Sequence, residues 1–369
     1  MKKTFSIALL LVCTFFLQAQ SSSYNLIIGT FNADCSDKGV FVYQFNTQTG
    51  DFKFRSQSES VANPSFVSVS EDNKFVYTVN SDGANSSVSA FGYDSKAGKL
   101  NLLNQQKTNS EDPCNITNND NYVFTANYSG GSITAFGKNE DGSLTALKQL
   151  EQHTGKGPNS KRQEKAHLHM VQFSPDHKYL LGTDLGSDKI YSYAVNNTAD
   201  KPLELKVTND IKAGSGPRHF VFSKDGKKMY LLQELDGTLS VFNYKKGKLK
   251  LCQEQTILAP TFKGKFTAAD IHISPDEKFL YATNRGDSND ISCFKILKNG
   301  KLEFVERVAT LGNGPRNFSI DPSGNFLLVG HQYTNDVIIF KRNIETGKLT
   351  DTGKKIELCS PVCLVFTKI

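Results

Sequence analysis

One histidine and two arginines recur at equivalent places in a repeated pattern, and carboxylates recur at another. Six segments run from an apolar stretch into a polar turn. HMVQFSPDHK, RHFVFSKDGK and NFSIDPSGN are examples. Aligned on that turn, they start at Ser65, Pro113, His169, Arg218, Ala269 and Arg316. Each is followed by a second apolar run. Those runs end at Asn80, Asn127, Asp184, Glu234, Asn284 and His331, and Phe31 ends a first copy that has no partner before it. Arg285 follows Asn284 directly, and His167, His219 and His272 lie close by. If the start of one run and the end of the next meet in space, these side chains share one rim. Imidazole titrates near neutrality and can move a proton there. Guanidinium groups grip carboxylate and phosphate in a fork. Arg218, Arg285 and Arg316 aimed at one narrow channel repel one another unless anions lie between them, and Asp184 and Glu234 neutralise only part of that charge. The set therefore reads as a pocket for an anionic or strongly polar small molecule. Asn80 and Asn127 fit the plainer task of satisfying backbone groups at strand ends, and His219, His272 and His331 fit a packed, hydrogen-bonded role equally well.

The elements that must position these residues are strands. The lead-ins LIIGT, FVYTV, YVFTA, YLLGT, MYLLQ, FLYAT and FLLVG recur at spacings of 47 to 57 residues. A third strand of the SVSAF or VIIFK kind follows, then a Gly-Lys-Leu or Gly-Ser-Leu turn in five copies, opening a fourth. Four short β-runs per unit, with turn chemistry between them, predict an all-β, seven-bladed β-propeller. The first copy, Leu26 to Thr30, lacks an inner strand. The chain ends on an orphan of that pattern, Pro361 to Phe366, which is expected to complete the first blade and close the ring.

Residues 1–20 read as a signal peptide: Lys2 and Lys3, an apolar run from Phe5 to Leu17, then Gln-Ala-Gln and a serine run. That run is shorter than the roughly 20 residues that span a bilayer. Residues 21–369 then form a single exported propeller, periplasmic or extracellular, with no membrane span after cleavage. The formal charge of +6 is too diffuse for a nucleic-acid face, and Lys245 to Lys250 reads as a solvated turn. Six cysteines remain in the mature chain, without a Cys-x-x-Cys pair; buried free thiols are expected in a core this large. No metal-ligand spacing and no Gly-x-Ser-x-Gly elbow appears, so no cofactor or metal is expected.

At these same residues the sequence resembles the seven-bladed propeller lactonases, the family of propeller-type bacterial 6-phosphogluconolactonases and fungal carboxymuconate-cyclising enzymes. The likeness runs from Leu26 to Cys363. It is carried by Asn63-Pro64-Ser65-Phe66, Ala126-Asn127-Tyr128-Ser129-Gly130-Gly131, Arg162-Gln163-Glu164 before Ala166-His167-Leu168-His169, Gly216-Pro217-Arg218-His219, Asn284-Arg285-Gly286 and Gly314-Pro315-Arg316-Asn317. The resemblance implies lactone hydrolysis by a histidine, two arginines and a glutamate. Carried over by motif, these fall on His169, Arg218, Arg285 and Glu234. His167, Asp184, His219, Asn284, Arg316 and His331 make up the expected substrate-contact set. His169 would act as general base, Arg218 and Arg285 would bind the oxyanion and a substrate carboxylate or phosphate, and Glu234 would orient the histidine or hold an arginine. Asn115, the Asn-rich turn at 117–121 and His331 depart from the family pattern without touching those four. The expected partner is a small anionic or polyhydroxy lactone, and the expected state is a monomer. A phosphorylated sugar lactone is a cytoplasmic metabolite, so export favours another sugar or uronic lactone. A glycan- or protein-binding propeller, and a cyclase or isomerase of a dicarboxylate lactone, remain open on sequence grounds.

Overall fold

Strands alternate in and out with a period of two, so each apolar run above can bury one face against a neighbouring sheet. The computed structural model describes residues 22–369, and these form seven four-stranded antiparallel blades arranged as a propeller. The leader read over residues 1–20 lies outside the described residues. The innermost strands of blades 2 to 7 are Val67–Val69, Pro113–Asn118, Leu168–Phe173, Pro217–Phe222, Phe266–Ile273 and Pro315–Ile320. Blade 1 takes its inner strand from the far end of the chain. Pro361–Lys368 pairs antiparallel with Ser23–Thr30, running from Tyr24 opposite Lys368 to Thr30 opposite Pro361. The closing strand is two residues longer than the orphan run predicted.

The core is divided among the seven seams between blades. Leu26, Phe45, Phe326, Leu328 and Leu364 fill the seam between blades 7 and 1, and Leu181, Phe220, Met229 and Leu231 fill that between blades 4 and 5. Each such side chain contributes about 1.5–3 kcal/mol when fully buried. The turn chemistry has defined bonds. Ser70, Ser174 and Ser223 donate to Asp72, Asp176 and Asp225 at 2.6–2.7 Å, and each accepts the amide five residues on at 2.9–3.1 Å. The glycines of the later turn clasp adjacent blades. Tyr77, Tyr230 and Tyr281 donate to the carbonyls of Gly142, Gly300 and Gly347 in the next blade, at 3.0, 3.0 and 2.6 Å. Gly142 has φ +83°, and a Cβ there would stand 2.1 Å from the Phe75 ring, so only glycine meets both demands.

A β-bulge interrupts the inner strands where they reach the mouth. Leu168 pairs with Asp184 but Met170 with Thr183, which leaves His169 outside the ladder. Arg218 and Arg316 are displaced in the same way, and so is Cys114 in blade 3. A bulge re-aims a side chain and ends pairing, so one local irregularity, repeated, places these residues at the channel. It also corrects the alignment in blade 3, where Cys114 rather than Pro113 holds the rim position.

The expectation of free thiols is corrected for one pair. Cys35 and Cys359 form a disulfide across 324 residues of sequence. It ties the loop after the first strand to the segment just before the closing strand. Sequence spacing could not show it, because ring closure alone brings the two ends together. Cys114, Cys252, Cys293 and Cys363 are free.

Candidate active site

The mouth of the channel holds a pocket of about 480 Å³ lined by Phe31, Cys114, Tyr128, Arg162, His169, Glu234, Arg285 and Arg316, among others. Glu234 lies just past the end of its strand, Lys228–Gln233, and is 3% exposed. Its carboxylate accepts from Arg162 Nη2 at 2.6 Å and from Arg218 Nε at 2.9 Å, and Arg285 Nη2 lies 3.4 Å away. Burial alone would raise its pKa, but Arg285, Arg218 and Arg162 outweigh burial and hold it down at about 2. Glu234 is thus an anion at any ordinary pH and the hub of an arginine cluster.

His169 comes from the blade 4 bulge. Its nearest ring partners are Cys114 Sγ, 3.9 Å from Nδ1, and Glu234 Oε2, 3.9 Å from Nε2. The imidazole therefore stands ready for an outside partner. Burial, then Arg218, His219, Arg316 and Arg285, push its pKa well below the usual value. This departs from the expectation of a histidine titrating near neutrality: His169 is neutral and a weak base until negative charge develops beside it. The thiol of Cys114 is pushed by burial up to about 12 and donates to the His169 carbonyl at 3.4 Å, so it is a neutral fixture of the wall.

Positive charge is in surplus. Arg316 lies 4.9 Å from the Phe31 ring centroid and, among the described residues, has no carboxylate partner. Burial, with Arg285 next, lowers its pKa to about 10, and burial lowers that of Arg285 to about 10, so both remain cations at pH 7. Asp112, at the outer edge, is already occupied by Ser81 Oγ at 2.9 Å and by the Gly83 amide at 3.2 Å. Arg162, Arg285 and Arg316 line the pocket around Glu234, while Arg218, expected at the rim, lies behind that carboxylate on the small cavity beneath; together the four make an anion receptor.

Of the expected contact set, Arg316 lines this pocket and the others do not. The carboxylate of Asp184 accepts the amides of His167 at 2.7 Å and Gly186 at 3.0 Å, holding the turn beneath the rim. His167 stacks on Tyr128 with centroids 4.5 Å apart and bonds the Tyr128 carbonyl at 3.0 Å. Asn284 donates to Ser288 at 2.8 Å, and His331 Nδ1 sits 2.9 Å from Asp336 Oδ1. These four act at strand ends and turns. His219 lies one layer deeper, on a cavity of about 10 Å³ beneath the pocket. Arg162 and Tyr128 are pocket residues absent from the expected set. Arg162 stands on an irregular segment between blades 3 and 4, half-buried, and also reaches the Tyr128 hydroxyl at 3.2 Å. Repeat alignment could not find it, since it belongs to no strand; its signal was the Arg-Gln-Glu motif. Among the described residues no cluster of three or more His, Cys, Asp or Glu is arranged to hold a metal ion, and no helix is long and apolar enough to cross a membrane.

Comparison with known proteins agrees with the fold. Residues 25–366 match the family model described as lactonase, 7-bladed beta-propeller. A protein of Formosa agariphila named 6-phosphogluconolactonase is 38% identical over 88% of this chain and 94% of its own length. One of Bacillus subtilis with the same name is 32% identical over 92% and 97%. The structure of a periplasmic gluconolactonase of Pseudomonas aeruginosa superposes with a TM-score of 0.90, at 32% identity over 94% of this chain and all of that one. With its blades, bulges and arginine-lined mouth, the chain belongs to the seven-bladed β-propeller lactonases.

Proposed function

We propose that the propeller hydrolyses a sugar lactone in this pocket, with His169, Glu234, Arg218 and Arg285 as the working group. The observation that carries the reading is a neutral imidazole, its Nδ1 against the Cys114 thiol and its Nε2 without a hydrogen bond among the described residues, set among guanidinium groups whose charge exceeds that of the one glutamate beside them. A lactone carbonyl placed against Arg285 and Arg316 gathers negative charge on its oxygen as water attacks. His169 accepts the proton of that water. Its basicity rises as the oxyanion forms, because the new charge offsets the arginines that suppress it. The tetrahedral intermediate then expels the ring oxygen, and His169 returns the proton to it, leaving a hydroxy acid. Glu234 does not reach the imidazole; its part is to hold Arg162, Arg218 and Arg285 in register. Arg162 is offered as the group that takes a substrate carboxylate or phosphate.

The residue 1–20 leader, the Cys35–Cys359 bridge and the periplasmic relative support action outside the cytoplasm, where disulfides persist. A non-phosphorylated sugar or uronic lactone fits that location, and a monomer suffices, since the pocket is built from one chain. The test is a pH-stat assay of the mature protein on δ-gluconolactone, its 6-phosphate and a uronic lactone. Opening faster than the spontaneous rate is expected, and loss of that rate in His169→Ala and Arg285→Ala with the fold intact. Failure to exceed the background on every lactone would overturn the reading.

A further inference from the structure

Below the pocket lies a second buried carboxylate that the reaction above does not use. Asp270 is in the bulge of blade 6, 3% exposed. Its Oδ1 is 2.8 Å from His219 Nδ1 and its Oδ2 is 2.9 Å from His272 Nε2. Oδ2 also accepts from Asn317 Nδ2 at 2.5 Å and from the Phe318 amide at 3.3 Å. Burial would raise the pKa of Asp270, but His272 and His219 outweigh burial and keep it ionised. An ionised carboxylate only accepts, so His219 must carry its proton on Nδ1. Its Nε2 is then a bare lone pair.

That lone pair is 3.2 Å from Arg218 Nη1. A guanidinium only donates, so the two atoms match in one tautomer of a neutral imidazole and in no other. Burial and Arg218 keep His219 neutral, with its pKa lowered to about 4. The same Nη1 also donates to the Ala269 carbonyl, while Nε donates to Glu234 at 2.9 Å. Arg218 is therefore fixed on two edges, by Glu234 on the pocket side and by His219 and Ala269 on the channel side. The anchoring extends to the ring closure, because Asn317 Oδ1 accepts the Leu364 amide of the closing strand at 2.7 Å.

We propose that Asp270 and His219 are positioning residues for Arg218: Asp270 sets the tautomer of His219, whose bare Nε2 holds the guanidinium in the plane that faces Glu234 and His169. Neither residue lines the upper pocket, and neither touches the reacting atoms. The role rests on the lactonase reading of that pocket, and it assigns work to a buried pair that hydrolysis itself leaves idle. Misplacing a catalytic group by about 1 Å can cost about 100-fold in rate, so a slack Arg218 should show in kcat.

The test compares His219→Phe, which keeps a ring without an acceptor, with His219→Gln, which keeps a carbonyl for Arg218 and an amide for Asp270. His219→Phe should lose about 10–100-fold in kcat, with KM changed by less than about threefold. His219→Gln should recover to within about fivefold of the parent. A parental kcat in folded His219→Phe, or no recovery in His219→Gln, overturns the proposal. Should His219→Phe not fold, nitrogen-15 NMR of the histidines in the parent decides, with His219 assigned from its loss in His219→Gln. Protonated Nδ1 and bare Nε2 at pH 7 are expected; the opposite tautomer or an imidazolium refutes the tautomer argument. If the parent opens no lactone, the hydrolase reading fails, while the NMR result still judges the Asp270–His219–Arg218 arrangement on its own.

Discussion

Glu234→Gln removes the one charge that holds the arginine cluster together, at almost unchanged volume. With Glu234 neutralised, Arg162, Arg218 and Arg285 face an amide instead of a carboxylate. The carboxyl is held down from its ordinary 4.5 to about 2, which corresponds to about 3 kcal/mol of folding free energy. Breaking a buried ion pair by removing one partner costs about 3–5 kcal/mol, in the same range. The sign follows from the depressed pKa. The stabilisation is complete above about pH 4.5, where an unfolded glutamate is also ionised, and is lost as pH falls toward 2. Urea titrations, followed by tyrosine fluorescence and far-ultraviolet circular dichroism, should place the variant about 3 kcal/mol below the parent at pH 7. The gap should narrow between pH 4.5 and pH 2, because the glutamate of the unfolded parent takes up a proton there while the native carboxylate stays ionised, so the ionised cluster stabilises the fold less and less. Sulfate should raise the melting temperature of the variant more than that of the parent, by occupying the vacated arginines. Equal stability at pH 7, or a gap that does not change with pH, would refute the hub assignment for Glu234.

With burial and the arginines holding the pKa of His169 well below its ordinary 6.5, kcat/KM for lactone opening should show no acid limb near that value; a limb there would show that burial and the arginines do not suppress it. Deleting residues 360–369 removes the inner strand of blade 1 and exposes the edge of Ser23–Thr30, so cooperative unfolding should be lost; melting like the parent would falsify the closure argument. Cys35→Ser opens a 324-residue loop and should lower stability by up to about 5 kcal/mol on the chain-entropy account, with the parent matching the variant once reduced. Gly142→Ala would force a side chain into the left-handed region and against the Phe75 ring, and should cost more than about 1 kcal/mol in thermal melts; a neutral result would mean the clasp between blades 2 and 3 is loose.

The blade count and the closing strand were legible because both are periodic. Alternation with period two and turns rich in Ser, Asp and Gly are local properties, and any four-stranded unit needing a partner for each face must close on itself. His169, Arg218, Glu234 and Arg285 could be placed at one mouth by counting strands. What counting missed was irregular. The register slipped by one at Cys114 because blade 3 lacks the Ser-Pro-Asp turn and reverses through a shorter one, with Asn118 opposite Val123 where blade 4 has Phe173 opposite Leu180. Arg162 enters from an irregular connection, and Cys35 meets Cys359 only when the ring is shut. His167, Asp184, Asn284 and His331 lie at the expected strand ends but turn toward backbone amides, neighbouring rings and turn carboxylates. Sequence alone determined which strand ends gather at the mouth, since topology follows from pattern. Tertiary structure alone decided which of them face the pocket and in which protonation state, because side-chain direction and pKa depend on burial and on charges that folding brings within a few ångströms.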